Sequence, residues 1–264
     1  MIENYYRPKS TEEAEQLLQN QTNAVFLAGG TQVNRAYLER EIPSTVIDVQ
    51  DAIPHDIHVQ QGQLVMGAMI RLQDLADDPR VPEALAQAAK FIPTRSVRNQ
   101  ATLGGNIGAA RPDSYLIPIL IAMKAHVVTS SGESSVEDYL QQKKRDLIST
   151  VSVPLGQGAA KAVKESRSHL ALPVVSAGVW LKGSSHDIQE ARVVAGCVAN
   201  HALRLTSVEE GLVSGALSNP DSVELAIGQA ISPSPNLLGS QTYKTHVNSV
   251  VIAKAIFACM EALG

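Results

Sequence analysis

The sequence predicts an α+β fold in two parts, and three observations lead there. Glycine pairs at Gly29-Gly30 and Gly104-Gly105 interrupt apolar or irregular stretches of the N-terminal half. Hairpin signals at Gln61-Gly62 and at Ser130-Ser131-Gly132-Glu133 mark antiparallel strands mixed with short helical patterns. Beyond Gly156-Gln157-Gly158 the pattern restarts, with long strand-like segments first and helical ones after. The expected division is 1–155 and 156–264. Pro54 splits the first part into a small lobe, about 1–53, and a larger one, about 54–155.

Taken in order, Ser10-Thr11-Glu12-Glu13 has capping-box spacing, with Ser10 as N-cap and Glu13 reaching back, ahead of a helix carrying Ala14, Leu17 and Leu18. Ala24–Leu27 reads as a short buried strand that feeds the first glycine pair, with Val33 to Leu38 continuing as a helix. Thr45–Val49 reads as a further strand. Ile57–Gln60 and Gln63–Met66 form the first hairpin. Leu72–Ala76 and Glu83–Ala89 are helical, separated by Pro79 and Pro82. Leu116–Met123 is apolar enough for a buried helix. Ala125–Thr129 and Ser134–Val136 form the second hairpin, and Leu147–Val153 alternates in part before Pro154. In the second half Val163–Arg167, Val174–Lys182 and Ala191–Val198 are strand-like. Thr206–Val213, Ser222–Ile231 and Tyr243–Leu263 are helical.

Composition narrows the function. The 264 residues suffice for one large or two smaller cores, and a hydrophobic share of 44% suits a globular protein. A net charge of −4 excludes the broad basic field that nucleic acid requires. No run reaches the roughly 18 apolar residues of a membrane span, and no secretory signal opens the chain, so a cytoplasmic protein without membrane insertion is expected. Cys197 and Cys259 are the only cysteines, too few to ligate an iron–sulfur cluster through four thiolates. Any cluster chemistry therefore belongs to a partner. No metal site is expected from the seven scattered histidines.

The chemistry is sought in the glycine pairs. A pair bounded by Thr102 and Asn106 is poor material for a helix or strand interior, because glycine has the most backbone freedom to lose. It suits a loop whose N–H groups form a concave nest for phosphate oxygens. Ala28-Gly29-Gly30-Thr31 is a second loop of the same kind, and the two together would hold one dinucleotide between them. Alone, each pair is better explained by a turn. There is no Gly-x-Gly-x-x-Gly fingerprint, P-loop, His-Glu-x-x-His or Gly-x-Ser-x-Gly elbow. No side chain is required as a nucleophile, and no catalytic residue is expected.

On these motifs the sequence resembles the FAD-binding subunits of xanthine dehydrogenase and its relatives among the molybdenum hydroxylases, including carbon monoxide dehydrogenase. Ala28-Gly29-Gly30-Thr31-Gln32 matches the family's first FAD loop, Ala-Gly-Gly-Thr-Asp, except at Gln32. Residues 98–107, from Arg98 to Ile107, match the second, Arg-Asn-x-Ala-Thr-Ile/Leu-Gly-Gly-Asn-Ile, throughout. Asp146-Leu147-Ile148 with Val153-Pro154 is similar to the segment closing the FAD domain. Val194-Ala195-Gly196, Arg204, Glu209, Gly215 and Ser240-Gln241-Thr242-Tyr243-Lys244 resemble the C-terminal domain.

The resemblance implies a two-lobed FAD-binding domain of the molybdopterin dehydrogenase type. A smaller antiparallel sheet with helices, of the carbon monoxide dehydrogenase flavoprotein type, would follow it. Leu27, Ala28, Gly29, Gly30, Thr31 and Gln32 would line FAD from one side, and Thr102, Gly104, Gly105 and Asn106 from the other. Leu147 or Ile148 would pack near the isoalloxazine ring. Lys164 would lie close to the flavin, where a cation at the N1–O2 edge favours the anionic reduced form; the plain alternative is a solvated lysine at a strand edge. The implied protein is an oxidoreductase subunit. It would relay electrons from iron–sulfur clusters on one partner, fed by a molybdenum-cofactor subunit, through FAD to NAD+ or another acceptor.

One position departs from the family. Three residues before Pro118 the family often has a cofactor-contacting Asp, whereas this chain has Tyr115, readable as a core aromatic, with Asp113 two residues earlier. With Gln32, it motivates one alternative, a cofactor-free scaffold of the same fold; a stand-alone flavin reductase of the wider fold is a second, and the C-terminal resemblance weighs against it. Arg71, Arg95, Arg98 and Arg111 are planar donors that would attract phosphate, or else pair with acidic neighbours or face a partner.

Overall fold

The computed structural model describes residues 2–33, 43–142 and 146–264. The small lobe holds β1 (Asn4–Tyr6), α1 (Thr11–Asn20), β2 (Ala24–Leu27) and β3 (Thr45–Asp48). Its sheet is parallel, in the order β1-β3-β2. Central β3 is buried along its whole length. Strand β2 is half-buried rather than buried, because it lies at the sheet edge. Ser10 caps α1 by accepting from the Glu13 N–H, while Glu13 accepts from the Lys9 N–H rather than from that of Ser10. The helix expected at Val33 to Leu38 lies, beyond Val33, outside the described residues.

The larger lobe is a five-stranded antiparallel sheet with short helices. Its elements are β4 (Ile57–Gln60), β5 (Gln63–Gly67), α2 (Leu72–Asp77), α3 (Glu83–Lys90), α4 (Arg95–Arg98), α5 (Leu103–Ala109), α6 (Leu116–Ala122), β6 (His126–Thr129), β7 (Gly132–Ser135), α7 (Val136–Gln141) and β8 (Thr150–Pro154). The strand order is β4-β5-β8-β6-β7, so the last strand inserts between the two hairpins. Gln61 and Gly62 both have positive φ, as a tight hairpin turn requires.

The expectation that Gly104-Gly105 form a loop is corrected: both lie in the first turn of α5. Thr102 is its N-cap, its Oγ1 accepting from the Gly105 N–H at 3.1 Å. Close packing explains the glycines. A Cβ on Gly104 would stand 2.6 Å from the Ala68 Cβ, and one on Gly105 2.7 Å from Thr102 Oγ1.

The C-terminal part is an antiparallel sheet in the order β12-β11-β10-β9, built from β9 (Ala159–Ser166), β10 (Pro173–Ser184), β11 (Asp187–Gly196) and β12 (Leu203–Arg204). Three helices follow: α8 (Thr206–Val213), α9 (Pro220–Ala230) and α10 (Gln241–Ala262). Two begin earlier than expected, because Asn219, followed by a proline at the first helical position, and Ser240 are the true N-caps. Helix α10 packs on β9 and β10.

Helix α6 packs against β10 and β11 and is buried at all seven positions. A helix apolar on every side must be enclosed on every side. Gly178 of β10 permits this, since a Cβ there would lie 2.5 Å from the Ile119 Cα. Polar contacts flank the joint. Lys124 pairs with Glu190 and stands 4.6 Å over the Trp180 ring, and Glu137 faces Arg204 at 3.6 Å.

Candidate functional site

A cleft of about 920 Å³ runs between the small lobe and the larger one. Ala28, Gly29, Gly30, Thr31 and Gln32 line it from the first loop, and Thr102, Gly104, Gly105 and Asn106 from the second. Leu147 and Ile148 also line it. The two glycine motifs thus meet at one groove, and they touch: a Cβ on Gly29 would overlap the Gln100 carbonyl oxygen. Leu27 does not line the cleft; it is a β2 residue whose carbonyl accepts from the Val49 N–H.

The two motifs are not equivalent. In the second, the N–H groups are engaged by the protein: Leu103 donates to the Ile70 carbonyl, Gly104 to that of Ala68, Gly105 to Thr102 Oγ1 and Asn106 to the Thr102 carbonyl, all within 2.8–3.1 Å. The expected N–H nest at Thr102–Asn106 is therefore corrected to a wall, because a capped helix start docked on Ile70 and Ala68 uses the donors itself. In the first motif, the N–H groups of Gly29, Gly30, Thr31 and Gln32 donate to no acceptor among the described residues. Gly30 has φ +73°, a conformation that L side chains rarely adopt. Consecutive free N–H groups around such a residue form an anion-binding concavity.

The cleft also has apolar walls, with Met69, Ile92, Val97, Tyr115 and Leu172 among them. Sequence reasoning assigned no role to Met69, Ile92, Val97, Leu172 or Pro173, since nothing local distinguishes them from core residues. Tyr115 packs half-buried against the core, as a core aromatic would, and it also lines the cleft. It packs edge-on against Phe91, with ring centroids 5.9 Å apart. Burial first, then the neighbouring Cys197 and Asp113, pushes its hydroxyl up to about 12, so it is neutral at physiological pH.

Lys164 does not line the cleft, and it is not a freely solvated edge lysine either. Its Nζ donates to the Phe91 carbonyl at 3.3 Å and lies 5.8 Å from the Phe91 ring and 5.6 Å from the Tyr115 ring. The ammonium thus sits behind Tyr115, one ring removed from the groove. Arg98 holds Gln73 Oε1 and the Ile92 carbonyl, and Arg71 donates to the Asn99 carbonyl, so both brace the loop. Arg95 lies on the exposed α4. Arg111 lines the cleft, ion-paired with Asp113 at 2.8 Å.

Among the described residues no group of three or more His, Cys, Asp or Glu side chains is placed to hold a metal ion. No helix among them is long and apolar enough to cross a membrane.

The residues fit a dinucleotide. Residues 29–32 line the groove with N–H groups that meet no acceptor among the described residues, Gly29, Gly104 and Gly105 pack where a Cβ would intrude, and apolar walls suit a flat ring. Fold and site together define a flavin-nucleotide-binding oxidoreductase subunit. The chain belongs to the family of FAD binding domains in molybdopterin dehydrogenases, which matches residues 1–156, and residues 160–258 match the CO dehydrogenase flavoprotein C-terminal domain.

Among curated relatives, it is 36% identical to YgfM of Escherichia coli (strain K12), over 99% of this chain and 98% of that one. It is 28% identical to the carbon monoxide dehydrogenase medium chain of Hydrogenophaga pseudoflava, over 96% of both. Among solved structures, carbon monoxide dehydrogenase from Hydrogenophaga pseudoflava superposes with a TM-score of 0.90 at 25% identity, covering 100% of this chain and 99% of that one. Quinoline 2-oxidoreductase from Pseudomonas putida 86 shares the fold, with a TM-score of 0.87 at 20% identity over 98% and 97%.

Proposed function

We propose that this chain is the FAD subunit of a heteromeric molybdenum hydroxylase working in the cytoplasm. Residues 1–155 would bind the cofactor, and 156–264 would form the second domain. FAD held there would supply the redox chemistry, a relay between iron–sulfur clusters on a partner and NAD+ or another acceptor. The chain's own residues bind and orient. The N–H groups of Gly29, Gly30, Thr31 and Gln32 would hold the diphosphate, while Thr102, Gly104, Gly105 and Asn106 form the facing wall. Leu147 and Ile148 would exclude water beside the ring, and Lys164 would lend positive charge from behind Tyr115.

The observation that carries this reading is the row of first-loop N–H groups with no acceptor among the described residues, in a groove whose lining also includes Thr102, Gly104, Gly105 and Asn106. With only two cysteines in the chain, cluster ligation falls to a partner.

The test has two steps. Purified protein should carry flavin absorption bands or quench the fluorescence of added FAD saturably, and the natively expressed protein should co-purify with molybdenum- and iron-containing subunits. Absence of saturable quenching favours the cofactor-free scaffold. FAD binding by a chain that purifies alone favours a stand-alone flavin reductase.

A further inference from the structure

We propose that Ser114 is a positioning residue for FAD binding: it locks the Asn106 amide with its NH2 edge unengaged at the cleft, and the C-terminal domain holds Ser114 in place. The proposal rests on reading the cleft as the FAD site, and its core is an argument about one hydrogen atom. A serine hydroxyl has one hydrogen to donate and two lone pairs with which to accept. Ser114 Oγ accepts from the Leu116 and Ile117 N–H groups, each at 3.2 Å, at the start of α6. Both lone pairs are thereby used, so whatever else meets Oγ must be an acceptor.

Asn106 meets it at 2.7 Å, which requires Oδ1 at that contact and leaves Nδ2 on the other side. Among the described residues Nδ2 has no acceptor, and Asn106 lines the cleft. Its two N–H bonds are thus available to a diphosphate or ribityl oxygen. Without the Ser114 bond, nothing among the described residues keeps the amide's carbonyl oxygen from facing that ligand.

Ser114 is itself fixed from outside the FAD domain. Ser176, buried in β10, donates its Oγ–H to the Ser114 carbonyl at 2.7 Å. Two residues earlier the Cys197 N–H, just after β11, donates to the Pro112 carbonyl at 2.8 Å. The segment 112–114 is therefore clamped by the C-terminal sheet, and the clamp ends at the amide in the groove. Docking of one domain sets the donor pattern of the other.

The experiment is a double-mutant cycle on the full chain, read by FAD fluorescence quenching, with thermal unfolding of the FAD-free protein measured alongside. Ser114→Ala should weaken FAD binding about tenfold in the wild-type background and less than about twofold in the Asn106→Ala background. Ser114→Thr, which keeps the hydroxyl, should restore most of the loss. Asn106→Asp preserves the acceptor for Ser114 but replaces Nδ2 with oxygen; it should melt like wild type and still bind FAD more than about tenfold worse.

An equal loss in both backgrounds, or Asn106→Asp binding as wild type does, overturns the proposal while leaving the FAD site standing. Wild-type protein that fails to bind FAD overturns both. If Ser114→Ala does not fold, Ser176→Ala substitutes for it, with the same non-additivity expected against Asn106→Ala.

Discussion

Gly29 and Gln100 lie backbone to backbone: a Cβ on Gly29 would overlap the Gln100 carbonyl oxygen and stand 3.0 Å from the Ala101 Cα. This contact joins the small lobe to the larger one at the floor of the cleft. Gly29→Ala should destabilise the protein by about 2–3 kcal/mol and lower FAD affinity at least tenfold, because rigid backbone on both sides cannot yield. Gly108→Ala is the control. Its Cβ would meet nothing within 4 Å, and alanine inside α5 should raise stability by up to about 1 kcal/mol. Chemical denaturation compares the two, and equal effects would contradict the packing argument.

The Lys164 ammonium lies 5.6 Å from the ring of Tyr115, a residue that lines the groove. Lys164→Met should therefore lower the reduction potential of bound flavin by roughly 30 mV, the two-electron equivalent of a tenfold shift in equilibrium, and change FAD affinity less. Spectroelectrochemical titration of the loaded protein measures this. An unchanged potential would assign Lys164 to holding the Phe91 carbonyl alone.

Glu209 is buried beneath the C-terminal sheet. Its carboxylate accepts from the Val193 N–H at 2.9 Å and pairs with Arg204 at 2.5 Å. Removing it leaves a backbone donor and a guanidinium without this acceptor, so Glu209→Ala should cost about 3 kcal/mol in thermal or denaturant unfolding. Glu209→Gln keeps an acceptor for Val193 and should cost less. Arg204 also faces Glu137 of the FAD domain, so the loss should extend to the joint between domains.

Both thiols set an alkaline limit. Burial pushes Cys197 up to about 12, with Asp113 adding to it, and burial pushes Cys259 to about 12 as well. In the unfolded chain a thiol ionises near about 8.5. Above that pH the unfolded chain sheds protons that the native one keeps, so stability is intact below it and falls as pH climbs toward 12. Melting temperatures from neutrality to about pH 10 should decline, with a shallower slope for Cys259→Ala. Rapid labelling of the native Cys259 thiol by a thiol reagent near neutral pH would contradict its burial.

Much of this was legible in the chain itself. Hairpins, the buried helix at 116–122 and the two glycine motifs follow from local pattern, and the motifs' shared groove follows from reading them as two halves of one dinucleotide site, a reading the family resemblance supports. The status of Gly104 and Gly105 did not, because glycine is discounted inside helices; Ala68 and Thr102, which require it there, act through space. The Ser176–Ser114 bond spans 62 residues and leaves no local trace. The position of Lys164 behind an aromatic pair depends on three separate segments meeting. Local rules read the elements well; which N–H groups stay free is decided by how those elements dock.

Helix α6 is walled by the FAD domain on one side and by β10 and β11 on the other. Its seven apolar residues have two owners. A fragment cut near residue 156 would present an oily stripe to water and clump, and the remaining piece would lose the plug that fills its sheet. Anyone grafting either half onto another enzyme must carry this helix along with the surface that receives it.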